Sequence, residues 1–178
     1  MSAVWYFAYG SNMQRATFSG RRGIEPRSAA AARLTGWRLV LDKPPLIPMG
    51  QSFANVVEEP GAIVYGVLYE LSPDAYAHVE RTEAVGLGNY HSIEVDIELL
   101  GEASARRRAR TLTAHRRAPE MRPSTRYMSL MIEGAEEHGL PAEWISLLRN
   151  VPAEEESPSA VRMRAMIDGL MERMKKPR

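Results

Sequence analysis

Cysteine is absent from the 178 residues of this chain. Disulfides, thiolate nucleophiles and cysteine-ligated metal sites are therefore excluded. An excess of either charge is also missing, since 23 Lys and Arg stand against 22 Asp and Glu for a formal net charge of +1. Nucleic-acid binders usually carry a marked basic excess, so nucleic acid is not an expected partner. No apolar run reaches bilayer length, and the first residues lack the basic stretch and apolar segment of a secretory leader. The expectation is a cytoplasmic protein with no membrane partner. Internal repeats and low-complexity tracts are lacking as well. What is present is 44% hydrophobic, enough for one domain with a sizeable core.

Strand candidates fill the first two thirds of the chain. Val4 to Tyr9 is a short aromatic and β-branched run that breaks off into Gly10-Ser11-Asn12. Arg33 to Asp42, Phe53 to Glu58 and Ile63 to Leu71 follow, and Glu59-Pro60-Gly61 between the last two predicts a hairpin turn. Tyr90 to Leu100 alternates, with Ile93, Val95, Ile97 and Leu99 on one face and Glu94, Asp96 and Glu98 on the other. Arg110 to His115 offers a further strand, bringing the expected number to about six. The Arg-rich segment between, residues 105–110, reads as a solvated hairpin loop balanced by Glu94, Asp96, Glu98 and Glu102.

Helix signals are concentrated later. Pro73 to Thr82 has Ser72 as a cap and proline at its first position. Ser124 to His138 carries Tyr127, Leu130, Met131, Gly134 and Ala135 on one stripe and closes at Gly139-Leu140-Pro141. Ala142 to Arg149 is shorter. A last helix from Pro158 has a stripe of Met163, Ile167, Leu170, Met171 and Met174. Strands first and helices after make an α+β fold. The expected organisation is a domain over residues 1–152, then an acidic linker and amphipathic helix over 153–178.

Few residues announce chemistry by themselves. In the Gly10-Ser11-Asn12 turn, glycine permits unusual torsions and close approach of a ligand, and successive N–H groups can converge on a carboxylate or oxyanion. Gly, Ser and Asn are equally the common residues of any turn. Ser11 lacks the glycine spacing of a nucleophile elbow. His78, His91, His115 and His138 show no zinc-site spacing, so no metal is expected. Glu83 sits where a helix ends and a glycine-containing loop begins, a place where partial burial could tune a general base. A surface charge is the ordinary role of such a glutamate.

Three stretches in order carry more weight than any one of them. Residues 9–13 (YGSNM), 80–85 (ERTEAV) with Tyr90, and 123–141 (PSTRYMSLMIEGAEEHGLP) resemble the substrate loop, acidic segment and late helix of the γ-glutamylcyclotransferase family. PGAIVYGVLYEL at 60–71 resembles the strand that leads into the acidic segment. The resemblance spans roughly residues 4–150. It implies a small closed mixed β-barrel with surrounding helices. It also implies release of 5-oxoproline from a γ-glutamyl amide without a cofactor. In that scheme Glu83 is the catalytic acid/base. Tyr9, Gly10, Ser11 and Asn12 receive the γ-glutamyl head, with Tyr90 and Tyr127 nearby.

Ala84 departs from the glycine that commonly follows the acid in that family. Branches with Tyr-Gly-Thr-Leu act on γ-glutamyl amines, and those with Tyr-Gly-Ser-Leu take glutathione. Asn12 separates this chain from both and favours the γ-glutamyl-amino-acid or biosynthetic-deprotection type. The rival expectation is a non-catalytic barrel that binds a metabolite or a protein through its terminal helix. A homodimer is left open.

Overall fold

The computed structural model describes residues 3–48, 50–101 and 105–175, the side chains of 174 and 175 excepted. The opening apolar run forms β1 (Val4–Ala8), and the chain then tightens into a 3-10 turn (Ser11–Met13) and a π-helical turn (Ala16–Arg21). β2 (Ser28–Lys43) and β3 (Phe53–Leu71) are long and antiparallel. α1 (Pro73–Thr82) leads to β4 (His91–Leu99) and β5 (Arg106–Thr113). α2 (Thr125–Glu137), α3 (Ala142–Arg149) and α4 (Pro158–Lys175) complete the order.

The sheet closes on itself in the order β1-β3-β2-β4-β5. Closure is made by the parallel pairing of β1 with β5 at Tyr6 and Arg110; the other neighbours are antiparallel. The fold is therefore the mixed closed barrel with helices expected from the resemblance, but it has five strands rather than about six. The difference lies at Glu59-Pro60-Gly61. The chain does not reverse there, because β3 continues along the same partner, β2. Thr35 faces Ile63 while Trp37 faces Glu58, so Gly36 alone stands opposite residues 59–62. Gly36 and Gly61 take φ of 83° and 86°, values open mainly to glycine. The turn signal is thus a large bulge, where a proline without N–H interrupts no ladder bond.

The arginine-rich segment also differs from expectation. Residues 106–110 belong to β5, not to a loop. Cross-strand register explains it: Glu94, Asp96 and Glu98 lie opposite Arg110, Arg108 and Arg106. Directly opposed charges of opposite sign stabilise an exposed strand pair. Glu102 lies outside the described residues. On α4, Met163, Ile167 and Met171 are half-buried, Leu170 is exposed, and the Met174 side chain is not described.

The core holds side chains such as Phe7, Leu34, Val64, Leu68 and Ile97, all essentially inaccessible. One end of the barrel carries the segment after β1. Tyr69 Oη donates to the carbonyls of Asn12 at 3.0 Å and Met13 at 3.1 Å. α2 presses on the same segment at Gly134, where a Cβ would meet Gln14 N at 2.5 Å and Met13 C at 2.7 Å. Backbone atoms cannot swing aside. Gly134→Ala should therefore lower the unfolding free energy by about 1–3 kcal/mol in urea titrations. Gly169→Ala on α4, where nothing lies within 4 Å, should instead be neutral or slightly stabilising.

Candidate active site

One end of the barrel gathers the ends of β1, β2 and β5 and the starts of β3 and β4, as the strand directions require. A cavity of about 270 Å³ opens there. Tyr9, Gly10, Ser11, Asn12, Glu83, Tyr90 and Tyr127, separated by more than a hundred residues in sequence, all line it. Every site residue expected from the sequence is thus brought to one place.

Glu83 caps the C-terminal end of α1, with its N–H donated to Val79 O at 2.9 Å. Its Oε1 receives Asn12 Nδ2 at 2.8 Å and Arg22 Nη2 at 2.6 Å. Among the described residues Oε2 has no partner, and the side chain is only 15% exposed. The carboxylate is therefore held by one oxygen and left open at the other.

The turn after Glu83 is strained. Ala84 has φ of 54° and ψ of 41°, the left-handed region that costs a residue with a Cβ roughly 1 kcal/mol. This gives a physical reason for glycine at such a position. Asn89 locks the loop by donating to Glu83 O at 3.0 Å and accepting from Lys43 Nζ.

Gly10 is not required for its torsions, since φ −107° and ψ −149° lie in extended space. Room is tight there: a Cβ would sit 3.0 Å from Tyr127 Oη, which would have to give way. Asn12 is buried and turns its Nδ2 to Glu83 and to Tyr6 Oη, 3.1 Å away, while its Oδ1 has no partner. The tyrosine hydroxyls are largely committed to the protein. Tyr9 donates to Leu112 O, and Tyr90 to Ala54 O at 2.9 Å. Tyr127 accepts from Ala54 N at 3.2 Å and also bonds Ser11. Burial raises the pKa of Tyr6, Tyr9 and Tyr90 well above 10 and pushes Tyr127 up to about 12, so all four remain neutral phenols.

Two cations at the site carry no sequence signal. Arg22 is 6% exposed, and its Nε and Nη1 are buried without partners. His78 supports it by bonding Arg22 O at 2.9 Å. Lys43 is 2% exposed and stacks 4.4 Å above the Tyr90 ring. Arg22 touches Glu83 directly and Lys43 acts on it through space, both from positions remote in sequence that local pattern cannot register. The fold also brings the rings of His91 and His115 within 4.4 Å, but no third metal-ligand side chain joins them among the described residues.

Burial lowers the Lys43 pKa from its ordinary 10.5 to about 8, with Glu83 opposing. Between these values the unfolded chain holds a proton that the folded protein has released. Stability must then rise with pH through that window. Relative to Lys43→Met, the native protein should gain on the order of 2 kcal/mol of unfolding free energy between pH 7 and pH 10. Parallel stability curves for the two would contradict a buried, weakened ammonium.

Comparison with known proteins bears on family and fold. Residues 63–148 match the AIG2-like family. The γ-glutamyl cyclotransferase AclK of Aspergillus oryzae is 28% identical over 165 residues, covering 83% of this chain and 60% of that protein. This chain thus spans three fifths of that relative's length. The γ-glutamylcyclotransferase of Bos taurus is 28% identical over 156 residues, covering 82% of this chain and 77% of its own. A solved structure named γ-glutamyl cyclotransferase superposes with a TM-score of 0.74 at 23% identity, covering 97% of this chain and 99% of that one, which bears on fold alone. The family match over residues 63–148 and the relatives at 28% identity make this chain similar to the γ-glutamylcyclotransferase, AIG2-like family.

Proposed function

We propose that the protein is a γ-glutamylcyclotransferase that converts a γ-glutamyl amide into 5-oxoproline and a free amine. One observation carries the reading: Glu83, fixed through Oε1 by Asn12 and Arg22, leaves Oε2 uncommitted in a cavity bordered by the Tyr9–Asn12 segment. The relatives' names support the same chemistry.

The reaction needs little beyond folding the substrate and moving protons. The substrate's α-amine attacks its own γ-carbonyl carbon, the lactam C–N bond forms, and the original amide C–N bond breaks. An α-ammonium is mostly protonated near neutrality, so a base must first free its lone pair. Glu83 Oε2 takes that proton and returns it to the departing nitrogen, and the second proton that the attacking nitrogen sheds in becoming the lactam N–H follows the same route, so the amine leaves as an ammonium. Atoms balance with no co-reactant. Because nucleophile and electrophile share one molecule, orientation alone can supply about 7–11 kcal/mol of barrier reduction.

The surrounding residues have distinct tasks in this scheme. Asn12 Oδ1, buried and without a partner, is an acceptor for the α-ammonium. The amide of Asn12 precedes the first 3-10 bond, Met13 N to Gly10 O, and has no acceptor within that turn. It can face the carbonyl oxygen as charge develops on it. Tyr90 and Tyr127, neutral and tied to Ala54, wall the glutamyl head. Arg22 keeps the carboxylate from turning away.

Glu83→Gln keeps the shape but cannot carry a proton. It should lower 5-oxoproline release from a γ-glutamyl dipeptide by at least about 100-fold. Far-ultraviolet circular dichroism should show the same fold. Undiminished turnover in the folded variant would overturn the assignment of Glu83.

A further inference from the structure

The cavity extends beyond the groups that the proposed chemistry uses. Its outer wall is built where α4 packs on the π-helical turn, and it carries three arginines, Arg21, Arg126 and Arg164. Two of them are neutralised within the wall. Arg21 Nε lies 2.5 Å from Asp168 Oδ1. Arg164 grips Glu156 through Nε at 3.2 Å and Nη2 at 3.0 Å. Arg126 is different: half-buried in the cavity, it makes no hydrogen bond or ion pair among the described residues. Burial lowers its pKa from the ordinary arginine value, with Arg164 acting in the same direction and Glu156 and Asp168 against it. A guanidinium in that condition gains most from an incoming anion, and its planar fork matches a carboxylate.

Beside Arg126 stand Leu130, Ile167 and Met171, which give the same wall an apolar surface. The consecutive residues Arg21 and Arg22 join this wall to the catalytic end, Arg22 reaching Glu83 while Arg21 reaches Asp168 of α4. A ligand whose γ-carbonyl lies near Glu83 would therefore direct its leaving group toward α2 and α4.

We infer that Arg126 and the α4 wall form a leaving-group subsite for an amino acid, Arg126 taking its α-carboxylate and Ile167 and Met171 its apolar side chain. The inference rests on the cyclotransferase reading above and narrows it. The substrate is a γ-glutamyl amino acid with an apolar side chain, not a γ-glutamyl alkylamine. α4 is then part of the binding site rather than an appended docking helix.

Two substrates that differ by one carboxylate test this: γ-glutamyl-leucine and γ-glutamyl-isopentylamide. The native full-length protein should turn over the dipeptide with a kcat/KM at least about tenfold higher. Arg126→Gln should lower kcat/KM for the dipeptide by about 10- to 100-fold, chiefly through KM. The same variant should leave the amide within about twofold, which also shows that its catalytic end is intact. Arg126→Lys should recover part of the dipeptide loss, because charge remains without the fork. Equal use of both substrates by the native protein, or a loss in Arg126→Gln shared by both, would overturn the subsite while leaving the cyclotransferase reading in place. Turnover of neither substrate by the native protein would overturn both.

Discussion

One carboxylate oxygen, Glu83 Oε1, accepts from Asn12 Nδ2 at 2.8 Å and forms an ion pair with Arg22 Nη2 at 2.6 Å. The two contacts tie together the end of α1, the turn after β1 and the π-helical turn that follows it. Side chains at this junction are 7% exposed for Arg22 and 15% for Glu83. Removing one member of such a buried pair typically costs about 3–5 kcal/mol, because the other charge is stranded. Exposed pairs such as Arg108 with Asp96 contribute about 0–1 kcal/mol. The junction therefore dominates the local electrostatics, and it fixes the group on which the proposed chemistry turns.

Everything around the junction serves to hold it still. Tyr69 and Gly134 pin the Asn12–Gln14 segment from two sides, one by hydrogen bonds and one by the absence of a side chain. Asn89 and Lys43 fasten the loop beyond Glu83, even though Ala84 must sit in a left-handed conformation to make the turn. Rigid strands supply the footing, since each segment of the site leaves or enters the barrel at the same end. Catalysis by orientation requires this kind of support, because a small misplacement of the reacting groups loses much of the gain.

Much of this was legible in the residues, for identifiable reasons. Ser72 and Ser124 cap α1 and α2 by accepting from Ala75 N and Tyr127 N, both at 3.1 Å, as their positions before helical runs imply. The alternation of Ile93, Val95 and Ile97 marks β4 because one face of that strand is buried. Glu59-Pro60-Gly61 misleads because a bulge and a hairpin use the same residues, and only the partner strand distinguishes them. The arginines of β5 look like a loop until Glu94, Asp96 and Glu98 are placed opposite them. Arg22, Lys43 and Arg126 leave no local trace, since each owes its role to a neighbour far along the chain. The motifs locate Asn12 and Glu83 but not the bond between them, which spans 71 residues.

The central claim is intramolecular attack by the substrate's own amine rather than attack by water. The most direct measurement is the turnover of a γ-glutamyl dipeptide in ¹⁸O-enriched water, with mass analysis of the products. The account predicts 5-oxoproline in equal amount to the released amino acid, carrying no oxygen from solvent. Free glutamate labelled with ¹⁸O would contradict it.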